Sequence, residues 1–470
     1  MRADTCTESL TLRPLCSAVI VRTSKHVKIA ALSSFNPPGL LGERGASARP
    51  TLNRGVGSTS QQSARMMHIS PLRKLIVVAI TASGMLGCRN PAEPGTVDEP
   101  LVAISAGGQT SCAVSASGVA LCWGRGTDGQ LGNGASVNSS IPVLVQGGRK
   151  FKSIEVGFYH TCALTAAGEA YCWGATGPLQ NSGQLGIGST TRGADHPVRV
   201  ETGVRFISLA AGQVHTCGLT MEGAVHCWGD NRWGQLGDGT TSSRTTPVRT
   251  TGNHRFIDLA AGDAHTCGVT DEGRVLCWGD NFSYAVTGGA HTPDVCADGY
   301  DLRCTLLPSS VAVLEPVQHV RAGGETCATT ASSVTYCWGG NIQTVRPVRR
   351  TSTGLSQVAV GTGHGCGLDS DARVNCWGAH RLGQLGSGSA PDDYSETPVV
   401  VASALRFSDV SLGMFHTCGL TADGAAYCWG ANREGQLGIG NDTGPALCGL
   451  THPCSTVPVP VRARKAQVGS

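Results

Sequence analysis

The chain has 470 residues with 65 Gly and 22 Pro, yet only 5% aromatic and 15% charged residues. Such a turn-rich composition with many short apolar runs argues against a helical protein and for all-β structure. The formal net charge of +3 is unevenly spread: residues 1–88 carry 11 Lys and Arg against 3 Asp and Glu, and the remainder 25 against 30. A mildly acidic body offers no electrostatic footprint for nucleic acid, so nucleic acid is not an expected partner.

Residues 1–65 show no hydrophobic periodicity and few acids, and read as an upstream extension before a start at Met66 or Met67. From there His68–Lys74 supplies a basic end, and Leu75–Leu86 (LIVVAITASGML) an apolar stretch too short to span a bilayer as a helix. The segment 66–88 therefore reads as a signal peptide. It ends in Met85-Leu86-Gly87-Cys88, which resembles the lipobox of bacterial lipoproteins, although Met85 and Leu86 depart from the residues that family favours. The resemblance implies lipidation of Cys88 and attachment to the membrane by that anchor alone. Ordinary secretory cleavage beside a chance Cys is the alternative. Residues 89–100 are polar and Pro-containing, as a tether would be.

Beyond residue 100 the chain is built on one unit, seen at His215–Gly229 as HTCGLTMEGAVHCWG. Its spacing predicts strands over Thr216–Thr220 and Ala224–Trp228 joined by a turn at Met221-Glu222-Gly223. Counted from that turn, Cys217 and Cys227 fall at mirror positions, within reach of a cross-strand disulfide. The same C-x9-C-W-G spacing pairs Cys112 with Cys122, Cys162 with Cys172, and Cys267 with Cys277. It does so again for Cys327 with Cys337, Cys366 with Cys376, and Cys418 with Cys428. Two further close pairs are Cys296 with Cys304 and Cys448 with Cys454. All 18 body cysteines thus find a partner, as expected of an oxidised, exported protein. No C-x2-C knuckle is present, so no metal site is expected, and nothing points to a cofactor.

The repeat extends to a first strand such as Phe206–Gly212, and downstream to Gly-Gln-Leu-Gly and a Pro-Val strand, as at Gly234–Gly237 and Pro247–Arg249. Copies begin near Leu101, Phe151, Phe206, Phe256, Val317, Leu355 and Phe407. Four short strands at a period near fifty residues make a propeller blade, which must stack on neighbours to bury its faces. The expected fold is an all-β, seven-bladed propeller over residues 101–465, with 466–470 as a tail. The pattern G-x-x-H-T-C-x-L-T-x-x-G-x-x-x-C-W-G with the following G-Q-L-G resembles the RCC1 (regulator of chromosome condensation) repeat family, whose members form seven-bladed propellers. Blade four departs from G-Q-L-G at Ser283–Gly289, and blade five is shortened at Asn341–Thr344. Whether the last strand stays in blade seven or crosses to blade one is open.

Catalytic motifs are absent: no P-loop, HExxH or GxSxG occurs. His160, His215, His265, His364 and His416 share one repeat position, with Thr110 and Glu325 in blades one and five, and such regularity fits a structural hydrogen-bonder better than a site. The seven Trp of the C-W-G motif are read as packing residues, and the Asp/Asn-rich connections as turns rather than calcium ligands. Candidates for binding are the positions that vary. Phe158-Tyr159 and Met414-Phe415 occupy the two-residue loop before His-Thr-Cys in blades two and seven, where most copies carry small or polar residues; they form either an apolar patch or a plug in the channel mouth. Trp233 stands outside the C-W-G position, and Tyr284 and Tyr300 lie in the insertion Ser283–Pro308. That insertion and Asn441–Val457 are both expected to project from one rim.

These features point to a non-enzymatic, monomeric binding or scaffold module displayed at a bacterial envelope surface, recognising a protein or glycan through its loops. Two alternatives stand beside it. One is guanine-nucleotide exchange, the activity of the family's eukaryotic namesake, for which no matching wedge segment is found. The other is an extracellular enzyme with its site at the ring mouth, which would show as a cluster of perturbed titratable groups there.

Overall fold

A computed structural model describes residues 99–177, 181–190, 193–281, 284–286, 304–313, 315–340, 344–350, 354–389, 394–449 and 451–462. Seven antiparallel sheets follow one another along the chain, at Leu101–Leu144, Ser153–Arg199, Ser208–Arg249, Phe256–Val311, Val317–Arg349, Ser356–Val400 and Phe407–Pro460. In six of them strand order follows chain order, a four-stranded meander; blade seven has the same meander, and a short fifth strand, Ala446–Cys448, pairs with the outer edge of its last strand although it precedes that strand in the chain. This is the seven-bladed propeller that the repeat count implies.

The hairpin at the centre of each blade has the expected register. Cys217 lies opposite Cys227 in blade three. In the same way Cys112 faces Cys122, Cys162 faces Cys172, and Cys267 faces Cys277. Cys327 faces Cys337, Cys366 faces Cys376, and Cys418 faces Cys428. The paired Cα atoms stand 4.0–4.1 Å apart, the close approach of a non-hydrogen-bonded pair, and all seven pairs are disulfides, as the spacing predicts. The strands sit slightly off the expected bounds, at His215–Leu219 and Val225–Gly229. The Thr220 carbonyl takes the Gly223 N–H and its hydroxyl the Ala224 N–H, closing the turn.

What joins one blade to the next is a repeated polar latch. The Gln of Gly-Gln-Leu-Gly presents its main-chain carbonyl to the following blade. Gln235 accepts there from Trp278 Nε1 and Thr266 Oγ1, both at 2.9 Å. The same pair of bonds converges on Gln130, Gln184, Gln384 and Gln436, with Ser111 in place of Thr at the last. The Leu of the motif is fully buried in each of these blades, as are all seven Trp. The closing Gly is required by the indole: a Cβ on Gly237 would stand 2.8 Å from Trp278 Nε1.

Blade four keeps this socket despite its different sequence. Ala285 supplies the carbonyl, to Trp338 Nε1 at 2.9 Å and Thr326 Oγ1 at 3.1 Å, and Val286 fills the Leu position at 0% exposure. The departure read from residue types is thus not a departure of the backbone. Tyr284 takes the place of the first Gly and adopts φ 60°, where Gly234 has φ 77°, a conformation costly for a non-glycine residue. Only the blade five–six interface differs in kind. There Gly365 replaces the Thr, and Trp377 Nε1 donates to the Glu325 carboxylate at 2.9 Å.

Ring closure uses the same devices. The final strand, His452–Pro460, pairs within blade seven, which settles the open point of topology. Blade seven meets blade one through the Gln436 latch, the Ala106 N–H to Ser411 Oγ bond, and a shared apolar cluster containing Ile104, Trp123, Leu420 and Leu437. Replacing Thr266 by Val is expected to lower stability by about 1–3 kcal/mol, because it strips a buried donor and acceptor from one latch. Urea unfolding of the variant measures this, and an unchanged midpoint would remove the latch from the account of blade stacking.

Candidate functional site

The antiparallel meander sorts the loops by face. Connections from first to second strand and from third to fourth leave one face of the ring, and the hairpin turns leave the other. Every binding candidate among the described residues lies in a loop of the first kind, and both insertions fall in the chain between third and fourth strands. Of the first insertion, Tyr284 is described and is 39% exposed; Tyr300 lies outside the described residues. Cys304 is disulfide-bonded, and its expected partner Cys296 also lies outside them. In the second insertion Cys448 and Cys454 form their disulfide across the hairpin that leads into the last strand, with Leu447 65% exposed beside it.

The two-residue loops of blades two and seven approach blade one from either side. The Met414 N–H donates to the Gly108 carbonyl at 2.8 Å, and a Cβ on Gly108 would stand 2.8 Å from the Phe158 carbonyl. Phe158 and Met414 both line the central channel, a cavity of about 990 Å³, whereas Tyr159 lies outside it with the Arg125 guanidinium 5.6 Å from its ring centre. Phe158 and Tyr159 stack at 4.8 Å between ring centres. All four candidates, and Trp233, are half-buried. Blade one thus brings Phe158 and Met414 to one arc of the mouth, with Tyr159 set outward of it.

The recurring His have another role. Each donates from Nε2 to the latch hydroxyl of the next blade: His160 to Thr216, His215 to Thr266, His265 to Thr326, His364 to Thr417 and His416 to Ser111, at 2.8–2.9 Å. Because that hydroxyl spends its own proton on the loop carbonyl, it must accept from the imidazole, which assigns the Nε2–H tautomer. Nδ1 of His160, His215, His364 and His416 has no hydrogen-bond partner. It packs on the repeat Gly, where a Cβ on Gly212 would stand 2.4 Å from His215 Cε1. Burial pushes four of these imidazoles down to about 3 and His265 to about 4. They are neutral scaffold.

The Asp/Asn-rich loop of blade three is likewise self-satisfied. Asp238 accepts from Arg244, Thr240 and Asn231, and Asp230 from Arg232 and Gln235. Glu325, Cys327 and Cys337 come within 4.8 Å of one another, but the two sulfurs are joined to each other and offer no thiolate.

One group of residues had no motif to announce it. The innermost strands line the channel, and at two adjoining levels they carry Glu155, Asp258, His319, Arg321 and Asp409 from blades two, four, five and seven. Arg321 pairs with Asp258 at 3.0 Å, and His319 Nδ1 stands 3.4 Å from the same carboxylate. Burial raises Asp258, but His319, Arg321 and the Val320 N–H together hold it below its ordinary value. Burial pushes Glu155 up to about 8 against the opposing charge of Arg321, and also raises Asp409. Their one sequence signal is variation at inner-strand positions that are Ser, Ala or Gln in other blades.

Fold and site define a propeller whose invariant residues are committed to blade stacking and whose differences face the loops and channel. By sequence the chain belongs to the regulator of chromosome condensation (RCC1) repeat family. One family model of that description matches residues 117–164, 222–269 and 423–468, and a second matches 101–130, 151–184, 206–235, 256–284, 355–384 and 407–436. These matches pass over blade five, where the latch is altered. The chain is 30% identical over 358 residues to the ultraviolet-B receptor UVR8 of Arabidopsis thaliana, covering 72% of this chain and 67% of the receptor. Prp20p of Saccharomyces cerevisiae superposes with a TM-score of 0.62 at 20% identity, over 78% of this chain and 87% of Prp20p. Yeast RCC1 (Prp20) bound to Kap60 superposes at 0.61 and 19% identity, over 82% and 91%. Both likenesses are of fold.

The buried imidazoles set a pH dependence. Their folded pKa values lie below the unfolded value near 6.5, so the unfolded chain binds more protons as pH falls, and their contribution is lost from about pH 6.5 down to about 3, or 4 for His265. The raised carboxyls Glu155, Asp263, Asp409 and Glu325 act in the opposite sense, so the test isolates one His. For His215→Gln, the stability penalty measured at pH 7.5 is expected to shrink by about 2 kcal/mol at pH 5. A penalty constant with pH would show that His215 is not held neutral.

Proposed function

We propose that this protein is a non-enzymatic, monomeric binding module displayed at a bacterial envelope surface, where it recognises a protein or glycan through the loop face of its propeller. The observation that carries the reading is the division of labour between residues. His, Thr, Trp and the Gln carbonyl of each blade are consumed by the latches, so discrimination falls to the loops in which the blades differ. Phe158 and Met414 flank Gly108 on one arc of that face, with Tyr159 beside them, and Trp233 and Tyr284 are set in the loops of blades three and four. Half-buried aromatic and Met side chains on a rigid support suit a binding hot spot, since little entropy remains to be lost. A protein partner is the better supported class, because the family's fold in Prp20 is found bound to Kap60. Tyr284 strengthens the case: a bulky side chain held at positive φ where other blades have Gly is a strain that a role in recognition would explain.

Affinity capture from native envelopes tests the surface. Changing Phe158, Tyr159, Met414 and Phe415 together to Ala is expected to abolish recovery of the partner while leaving the thermal midpoint nearly unchanged. Equal recovery by that variant would sink the patch.

The envelope location rests on Cys88 and on the cysteine pairing of the body. Intact mass of the mature protein is expected to show an acylated Cys88 at its N-terminus, and Cys88→Ser to release the protein from the membrane fraction. A mature N-terminus elsewhere, or free thiols in the hairpin pairs, would overturn this part of the proposal.

A further inference from the structure

The residue that opens the first strand of each blade closes the wedge between that blade and the one before it. It is Phe in four blades, stacked near its own Trp with ring centres at 5.8–6.0 Å. Exposure at this position is 4% for Phe151, 2% for Phe206, 3% for Phe256, 2% for Val317, 1% for Leu355 and 3% for Phe407. Blade one is the exception. Leu101 occupies the position and remains half-exposed. Around it, between blades seven and one, opens a cavity of about 870 Å³.

The walls of this groove are aliphatic and aromatic: Leu101, Leu121, Val143 and Val145 from blade one, Tyr427 and Val461 from blade seven. Its rim is cationic, with Arg149, Lys150 and Arg462. The single carboxylate there, Glu99, is spent on the Ser117 N–H at 2.8 Å and the Ser117 hydroxyl at 2.5 Å. Lys150 leans to Ser117 Oγ at 3.4 Å, and the Arg149 guanidinium lies over the Tyr171 ring at 4.3 Å. Neither Arg149 nor Arg462 has a carboxylate partner among the described residues. An apolar trough with guanidinium groups at its edge matches an aliphatic chain that ends in an anion.

The strands that flank the trough argue against a peptide in it. The outer strands of the two blades carry Pro142 and Pro460 in the wall. Proline lacks the N–H that a docking strand would need, so addition of a peptide strand is obstructed at that edge. A fatty acid needs no such ladder. We infer that the blade seven–one groove is a binding site for a long-chain fatty acid, with the acyl chain along Leu101, Val143 and Tyr427 and the carboxylate held by Arg149 and Arg462. The site is separate from the loop face, so its failure would leave the partner reading untouched.

Titration of the purified full chain with cis-parinarate, followed by its fluorescence and by displacement with oleate, tests the inference. One saturable site is expected. Leu101→Phe restores the side chain found in blades two, three, four and seven; blade two shows Phe151 buried in a sheet that carries Ala163 opposite Ile154, the register position that Ala113 holds opposite Ile104 in blade one. That variant is expected to weaken binding by about tenfold or more, roughly 1.4 kcal/mol, with a thermal midpoint equal to or above that of the parent. The double change Arg149→Ala with Arg462→Ala is expected to weaken oleate but not oleyl alcohol. Absence of saturable binding, undiminished binding by a folded Leu101→Phe, or equal affinity for oleate and oleyl alcohol would each overturn the assignment. So would a concentration-dependent dimer that Leu101→Phe abolishes, since a second copy would then be the occupant.

Discussion

One main-chain carbonyl holds each blade to the next, at every interface but that of blades five and six. In most blades it belongs to the Gln of Gly-Gln-Leu-Gly and receives both the indole N–H and the hydroxyl of the next blade, while the hydroxyl in turn receives the imidazole N–H. The chain His Nε2–H to Thr Oγ–H to O=C from Gln, with Trp closing on the same oxygen, leaves every participant satisfied on that side. Buried polar groups are costly unless paired, so these bonds favour one arrangement of the layers they join, although Nδ1 of four of the imidazoles is left without a partner. The disulfide at the centre of each hairpin holds the two strands that carry His, Thr and Trp. The latch therefore acts between blades whose own geometry is already set.

The exceptions follow physically from this constraint. Blade four lost the Gly, the Gln and the Leu of the motif and kept the socket, because the latch asks for a carbonyl and a buried aliphatic residue rather than for particular side chains. Between blades five and six a side-chain oxygen receives the indole N–H instead. At that interface the carboxylate of Glu325 stands at the His position and takes the Trp377 N–H directly, with Arg350 at 3.6 Å and the Thr replaced by Gly365. Three residue types changed together across one interface because they were answering one another. Burial raises the Glu325 carboxyl, against the charge of Arg350 and the Trp377 hydrogen bond.

A ring fixed in this way frees its loops. The latches need no help from the rest of the connections between third and fourth strands, so those connections could take up insertions, stapled hairpins and the strained Tyr284 without disturbing the stack. The same logic governs the channel, whose lining strands tolerate Glu, Asp, His and Arg at positions that are Ser, Ala or Gln elsewhere. It also permits one wedge, at Leu101, to remain incompletely filled. Much of the asymmetry in this molecule lies where the latch makes no demand, and the blade five–six interface, where the latch itself is altered, is the exception.

The sequence by itself determined the blade. Seven recurrences of C-x9-C-W-G at fixed spacing set the hairpin, its register, the disulfides and the number of blades, since each of these depends on residues close along the chain. It also identified the recurring His and the Trp as scaffold, because a residue that returns at one repeat position, in five blades for the His and all seven for the Trp, does not make any one blade special. What it could not supply were relations between blades. That Phe158 and Met414 flank Gly108, that Glu155, Asp258, Arg321 and Asp409 share a channel, and that Leu101 leaves a groove against Tyr427 all depend on bringing together residues from 50 to more than 300 positions apart. The tertiary structure alone decided these, because the closing of the ring, and no local pattern, sets which residues meet.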